Sequence, residues 1–144
     1  MKNIVFILII LFAAIPTLKA DVKKWKLEQA GFLNIDRNEK DYGGFSGLLI
    51  KNAGTEALVV TDKSFFFVLE LRRDDNDILT GYSVIKKGRI LSSKGEHLNG
   101  RNTDSESIAM DANNNYYISF ESNHRIMMHT EVEGKGIFVP KHPM

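Results

Sequence analysis

Short apolar runs separated by polar or glycine-containing turns are the feature that most limits how this chain can fold. The runs are rich in β-branched and aromatic residues, which suit a pleated strand better than a helix. They lie at residues 48–50, 57–61, 65–71, 79–90, 108–110, 116–120, 125–129 and 137–139. After Ala20 no window shows a sustained period of 3.6 residues, so the chain is predicted to be all-β.

Two of these stretches repeat each other in order. Ser46–Asp62 and Glu106–Glu121 each contain an apolar strand, a turn and a second strand that ends on a carboxylate. Repeated units of four strands and about 40–50 residues are typical of propeller blades. The copies lie farther apart than that, and a long polar loop at 92–103 accounts for the difference. The repeat predicts propeller blades, although any two β-meanders share part of the pattern. The glycine-rich stretch 43–47 before the first strand indicates positive φ or a close backbone approach.

A closed propeller needs more blades than this chain can form. Propellers close with about four to eight blades, and the repeat accounts for about two. An open arc leaves sheet edges and a sheet face exposed. The expected fold is therefore a partial β-propeller of antiparallel four-stranded blades over residues 21–144. We expect this domain to be truncated at its C-terminus; the alternative is that several copies assemble, and the oligomeric state stays open.

The beginning of the chain has the order of a secretory signal. Lys2 precedes the apolar run Ile4–Ile15, and Pro16 and Ala20 follow as the helix breaker and the small residue at the cleavage site. The run is shorter than the roughly 20 residues that a membrane-spanning helix needs. We expect a signal helix at residues 1–20, cleaved after Ala20, and a periplasmic or secreted mature chain without a stable membrane span. An uncleaved membrane anchor is the alternative.

Composition excludes several classes of function. The chain has 19 Lys and Arg against 18 Asp and Glu, and no basic stripe that could release counterions from phosphates. No nucleic-acid partner is therefore expected. The chain has no cysteine, which excludes thiol catalysis and thiolate-bound zinc. An exported protein of this kind is held together by burial and hydrogen bonds rather than by disulfides.

Candidate site residues cluster near the end of the second repeat. Asp104 and Glu106 come just before a strand, Glu121 ends the next strand, and His124 and Arg125 follow directly. In a β-hairpin such residues share one rim. Calcium takes about 6–8 oxygen ligands, and an ion there would position a phosphate and activate a water. The three carboxylates are therefore predicted metal ligands, although acids at a strand rim are often only solvated or cap turns.

Three further residues are candidates, and two of them have a plain alternative role. Asp62 is a weaker candidate ligand, on the ground that it is the repeat partner of Glu121. His124 is a candidate general acid or base because histidine titrates near neutral pH, or else a polar residue at a strand start. Arg125 is a candidate for bidentate binding of a phosphate, or else forms a salt bridge to Glu121 or Asp104.

Six short motifs follow one another along the chain. They are Gly43–Leu48, Val60–Asp62, Leu79–Gly81, Asp104–Glu106, Ser119–Glu121 and His124–Ile126. In this order they resemble the phytase-like family, a β-propeller group described as having esterase-like activity of phytase. The resemblance covers residues 43–131. Phe45, Thr61, Ser105 and Ser107 depart from the family pattern, in which Leu, Ser, Ala and Gly are usual.

The resemblance implies an exported propeller that acts as a calcium-assisted hydrolase of phosphoric or carboxylic esters, with a small-molecule substrate. Two alternatives stay open. One is a non-catalytic periplasmic propeller that binds a ligand, and the other is an inactive fragment of a longer chain. A phosphate site needs several cations, and Arg125 is the one cation well placed near the candidate carboxylates.

Overall fold

The computed structural model describes residues 26, 29, 31–35, 41 and 43–140. The predicted signal segment lies outside these residues. The strands of the described part are β1 (Phe45–Lys51), β2 (Glu56–Thr61), β3 (Phe65–Arg73), β4 (Leu79–Arg89), β5 (Ser105–Met110), β6 (Tyr116–Phe120), β7 (Arg125–His129) and β8 (Ile137–Phe138). Short 3₁₀ turns lie at Asn52–Gly54 and Gly100–Asn102. No helix within the described ranges has the length and apolarity needed to cross a bilayer.

The strands form two antiparallel meanders, which we call blade 1 (β1-β2-β3-β4) and blade 2 (β5-β6-β7-β8). The all-β prediction is confirmed, and two four-stranded sheets agree with a partial propeller. β1 and β5 start earlier than their apolar runs, because Phe45 pairs with Thr61 and Ser105 pairs with Phe120. Residues outside the apolar run thus enter a strand when the neighbouring strand offers backbone partners.

The internal repeat predicted from the sequence extends to the strand register. A β-bulge interrupts the first strand of each blade, at Ser46 in β1 and at Glu106 in β5. Beyond the bulge, the register of the first three strands is the same in both blades, which makes Asp62 the equivalent of Glu121. A bulge inserts an unpaired residue and changes the direction of its side chain. Both blades therefore present a side chain at the same corner of the sheet.

The main hydrophobic core lies between the two blades. Its buried members are Leu58, Val60, Phe66, Ile90, Leu98, Ile108, Ile118, Phe120, Met127 and Val132. A second cluster covers the other face of blade 1, with buried members Ala57, Val59, Phe67 and Leu69. Ile35, from the segment before β1, packs against this second cluster. β2 contributes to both clusters because alternate residues of a strand point to opposite faces.

Hydroxyl groups and one glycine join β1 to β5 across the blade interface. Ser46 Oγ donates to the Ser105 carbonyl at 2.5 Å, and Ser105 Oγ donates to the Thr61 carbonyl at 2.5 Å. A Cβ added to Gly47 would lie 2.9 Å from the backbone nitrogen of Ile108. The close backbone approach predicted for the glycine-rich stretch is confirmed here, since no side chain fits between these strands.

The segment that joins β7 to β8, residues 130–136, fastens the outer edges of the blades, and we call it the outer clasp. Val132 is buried in the core between the blades. Lys86 Nζ of β4 lies 2.7 Å from Glu133 Oε2. β1 and β5 therefore join the blades on the inside, and the outer clasp joins them on the outside.

Candidate functional site

Three carboxylates meet at the rim where β5 begins and β6 ends. Asp104 precedes β5, Glu106 is the bulged residue of β5, and Glu121 follows β6. Each residue offers one oxygen, and these oxygens lie within 4.8 Å of one another. Asp104 and Glu106 are half-buried, while Glu121 is exposed. The structure brings together the three residues expected as metal ligands, and their binding of a metal stays a prediction.

Asp104 is held in place by the turn that follows β6. Its backbone carbonyl accepts a hydrogen bond from the Glu121 N–H at 2.9 Å. Its carboxylate Oδ2 accepts bonds from the Ser122 N–H at 3.2 Å and from the Ser122 hydroxyl. The backbone bond prolongs the β5–β6 pairing, and the side-chain bonds orient the carboxylate. Such preorganisation lowers the entropy cost of binding a ligand.

The surroundings of Glu106 at the rim raise the pKa of its carboxyl group. Loss of hydration raises the pKa of its carboxyl group, and the negative charges of Asp104, Glu121 and Asp62 raise it further. A hydrogen bond with Asp104 also favours the protonated form. Carboxylates this close to one another resist full ionisation. The surroundings of Glu106 therefore favour its protonated form more than water does.

Asp62 of blade 1 is near enough to this rim for its charge to raise the pKa of Glu106, but the oxygens that lie within 4.8 Å of one another belong to Asp104, Glu106 and Glu121. The Oδ1 atom of Asp62 is buried and has no hydrogen-bond partner within the part of the chain that the structure describes. A Cβ added to Gly44, whose φ is +62°, would lie 2.1 Å from that oxygen. Gly44 is therefore needed both for its backbone conformation and to leave room for the carboxylate. A buried oxygen without a donor is costly and fits a position that a cation can satisfy.

Arg125 is bound within its own blade. Its guanidinium lies 3.7 Å from the Phe120 ring centroid. It donates to the carbonyls of Asn123 at 3.1 Å and Asn102 at 2.5 Å. Burial lowers the pKa of Arg125. Among the described residues it forms no ion pair with the three carboxylates, so the salt bridge considered as its alternative role is absent there, and its catalytic role stays a prediction.

His124 is exposed and ends the turn between β6 and β7. It lines an open groove of about 520 Å³ together with Phe120, Ile126, Phe138 and Pro140. The groove is mainly apolar. His124 belongs to the same turn as Glu121, one of the three carboxylates of the rim. The position gives His124 access to solvent and to a bound molecule, and its role as an acid or base stays a prediction.

Sequence reasoning missed the residues that hold the candidate site in place. Ser122 binds the Asp104 carboxylate, and the Asn102 carbonyl binds Arg125. A serine directly after Glu121 could have been noted, because serine side chains often bond to nearby turns. Nothing in the sequence indicates the Asn102 contact, which joins the loop before β5 to the start of β7.

Comparison with known proteins adds one finding. The model of a family described as "Phytase-like: Esterase-like activity of phytase" matches residues 40–139. This range includes both blades and every candidate site residue, and it agrees with the resemblance found in the sequence motifs. Comparison with curated proteins gave no match. Comparison with solved structures gave none either.

Proposed function

The chain belongs to the phytase-like family, and from that premise we propose that it is an exported, cation-assisted hydrolase of phosphoric or carboxylic esters. The proposed cation is calcium, and its proposed ligands are Asp104, Glu106, Glu121 and Asp62. The proposed substrate is a small-molecule ester that reaches the cation at the open rim of the blades.

The convergence of three carboxylates of blade 2, with the charge of Asp62 close enough to act on Glu106, is the observation that carries the proposal. The oxygens of the three blade 2 residues lie within 4.8 Å of one another, and Asp62 adds a buried oxygen without a partner in the described part. Calcium takes about 6–8 oxygen ligands at about 2.3–2.6 Å, so four carboxylates leave room for water and a substrate oxygen. A bound cation supplies charge neutralisation and a more acidic water.

Cation binding at this rim requires Glu106 to lose its proton. The pKa of Glu106 is raised by loss of hydration and by the neighbouring carboxylates, so the proton competes with the cation below that pKa. Metal ligands must be deprotonated to bind. The apparent affinity for calcium is therefore expected to increase as the pH rises through the pKa of Glu106 and to level off above it.

His124 and Arg125 are the proposed catalytic residues. The exposed imidazole of His124 is suited to transfer a proton to or from a substrate bound beside the rim. Arg125 has more N–H donors than its two carbonyl bonds use, so it can still bind one oxygen of a phosphate or carboxylate. Its bond to Asn102 also steadies the loop that leads into Asp104.

A calcium titration tests the proposal directly. Isothermal titration of the purified chain at neutral pH is expected to show binding, and Glu106→Gln is expected to weaken it at least about tenfold, because calcium affinity depends on ligand charge. Glu96→Gln is the matched control, since it makes the same change at an exposed carboxylate of another loop. The control variant is expected to bind like the wild type.

Hydrolysis is measured on the same three proteins with a phosphate monoester and a carboxylic ester, in calcium and in chelator. The proposal predicts calcium-dependent turnover in the wild type and in Glu96→Gln, and loss of turnover in Glu106→Gln. A wild type that hydrolyses both esters equally well in chelator would contradict the role of the cation. A wild type that neither binds calcium nor hydrolyses would contradict the whole proposal.

A second candidate is a non-catalytic propeller that binds a ligand at the same rim. The engagement of Arg125 with two carbonyls and the Phe120 ring favours it, because a phosphate-ester enzyme usually needs cations that are free to bind the substrate. Calcium binding without turnover of either ester would support this candidate over the hydrolase.

A further inference from the structure

Equivalent positions of the two blades differ sharply in exposure. The strand register makes Leu48 of β1 the equivalent of Ile108 of β5, yet Leu48 is 61% exposed and Ile108 is 8% exposed. The register likewise makes Phe66 of β3 the equivalent of Ile126 of β7. Phe66 is 1% exposed, whereas Ile126 is 46% exposed. In each pair, the buried residue is the one that faces the other blade.

Each blade therefore has two apolar faces, and only one of them is covered by the other blade. We call the face with Val60 and Phe66 in blade 1, and with Ser119 and Ile126 in blade 2, the front face. The opposite face, with Leu48 in blade 1 and Ile108 in blade 2, is the back face. The existing interface joins the front face of blade 1 to the back face of blade 2. In the described part of the chain, the back face of blade 1 is exposed along β1, at Leu48 and Ile50, while its β2 and β3 residues are buried in the second cluster. The front face of blade 2 is exposed at Ile126.

We propose that a second copy of this chain docks head to tail, with the back face of its blade 1 on the front face of blade 2. The contact continues the interface already present between the blades, with Leu48 of one copy in the place that Ile108 occupies within a copy. Another copy of this chain carries both faces in the required register. Such a heterologous contact can propagate and closes into a ring if the rotation permits.

The inner strands carry the proposed contact, as they carry the existing one. Within a copy, β1 and β2 lie against β5. In the proposed contact, β5 and β6 of one copy lie against β1 of the next. Ile35 and Leu33 cover the part of the back face beside β2 and β3, but Leu48 and Ile50 of β1 are left about half exposed or more. The β1 part of the back face, which the proposed contact uses, is therefore exposed in the described part of the chain.

One residue makes the proposed contact looser than the existing one. At Gly47 a Cβ would lie 2.9 Å from the Ile108 backbone nitrogen, so the blades meet there only because glycine has no side chain. The equivalent residue of blade 2 is Ser107, whose hydroxyl bonds to the Ser119 hydroxyl at 2.8 Å. The second copy must therefore stand farther away, and association is expected to depend on concentration.

Sedimentation velocity over a range of protein concentrations tests the proposal, with the chain as it is purified from the producing cells. The wild type is expected to shift to larger species as concentration rises. Leu48→Lys blocks the back face and Ile126→Lys blocks the front face, so each variant alone is expected to stay a monomer. Both substitutions replace exposed residues, and circular dichroism checks that the fold is kept.

A mixture of the two variants gives the decisive measurement. Leu48→Lys retains an intact front face and Ile126→Lys an intact back face, so the head-to-tail mode predicts that the mixture forms a dimer and nothing larger. A symmetric contact between two front faces predicts instead that Leu48→Lys still dimerises alone, which would overturn the proposal. Ser107→Gly removes the Cβ in the way and is expected to lower the dissociation constant severalfold.

A wild type that stays monomeric at every concentration would also overturn the proposal. Sedimentation reports assembly without a measurement of calcium binding or hydrolysis, so the failure of this proposal is distinguishable from the failure of the proposed function.

Discussion

Blade 1 and blade 2 have the same register in their first three strands, but residues at equivalent positions make different contacts. At the bulge, blade 1 carries Ser46, whose hydroxyl binds the Ser105 carbonyl of the next blade at 2.5 Å. Blade 2 carries Glu106 at the same position, and its carboxyl group faces other carboxylates. In blade 1 this repeated position therefore helps to hold the neighbouring blade in place. In blade 2 the same position carries one of the proposed cation ligands.

Replacing a buried side chain by alanine is expected to give the largest difference between the blades in the free energy of unfolding. Phe66→Ala should lower the free energy of unfolding by about 3–5 kcal/mol, because it leaves a cavity between the sheets. Ile126→Ala, at the equivalent exposed position, should change it by about 0.5 kcal/mol or less. Urea unfolding at low protein concentration measures both. Similar losses for the two variants would show that blade 2 is covered on its front face even at low concentration.

The third strands of the two blades are expected to differ in how pH affects stability, because β7 has a buried histidine, His129, where β3 has Leu69. His129 is fully buried, with Nδ1 3.0 Å from the Gly134 carbonyl and Nε2 without a partner among the described residues. Burial lowers the pKa of His129 below 6.5, and the bond to Gly134 opposes the shift in part. The unfolded chain therefore takes up the proton first. Stability is retained above pH 6.5 and falls below it, by at most about 1.4 kcal/mol per pH unit.

His129→Leu tests this expectation by installing the residue that blade 1 has at the equivalent position, Leu69. The variant should lose the dependence of unfolding free energy on pH around 6.5, whatever its absolute stability. His97→Gln, at an exposed histidine, should keep the dependence of the wild type. A dependence that persists in His129→Leu would assign the titration to another group.

The carboxylate rim is expected to give the smallest effect on stability, because its groups are partly exposed and screened by salt. The pKa of Glu106 is raised in the folded state, so the folded chain holds its proton longer than the unfolded chain. Stability is therefore lost as the pH rises from the ordinary pKa of a glutamate to the raised one. Glu106→Gln should remove this loss in chelator, measured as a melting temperature that no longer falls over that window.

Added calcium gives a second test of how the carboxylate rim affects stability. In the wild type, added calcium should raise the melting temperature above that window, because a ligand that binds the folded state stabilises it. In Glu106→Gln the increase should be much smaller, while Glu96→Gln should respond like the wild type. An equal response of all three proteins would place calcium binding elsewhere on the chain.

Much of the fold was predictable because its causes are local. The alternation and composition of the apolar runs placed each strand, and the repeat predicted two blades with a carboxylate at the same corner. Asp104 and Glu121 were expected to meet, since they flank the two strands of one hairpin. The starts of β1 and β5 were missed, because Phe45 and Ser105 are paired through their partner strands rather than through their own side-chain pattern.

The sequence by itself determined that this chain is all-β, that its strands form two similar blades and that its acids gather at one rim, because strand alternation, turn residues and hairpin geometry act over short stretches. Only the tertiary structure decided which of two equivalent residues is covered, as with Ile108 and Leu48. It alone showed that Asp62 has a buried oxygen without a partner among the described residues and that the pKa of Glu106 is raised. These properties depend on burial and on charges brought together from distant parts of the chain, and no local pattern encodes them.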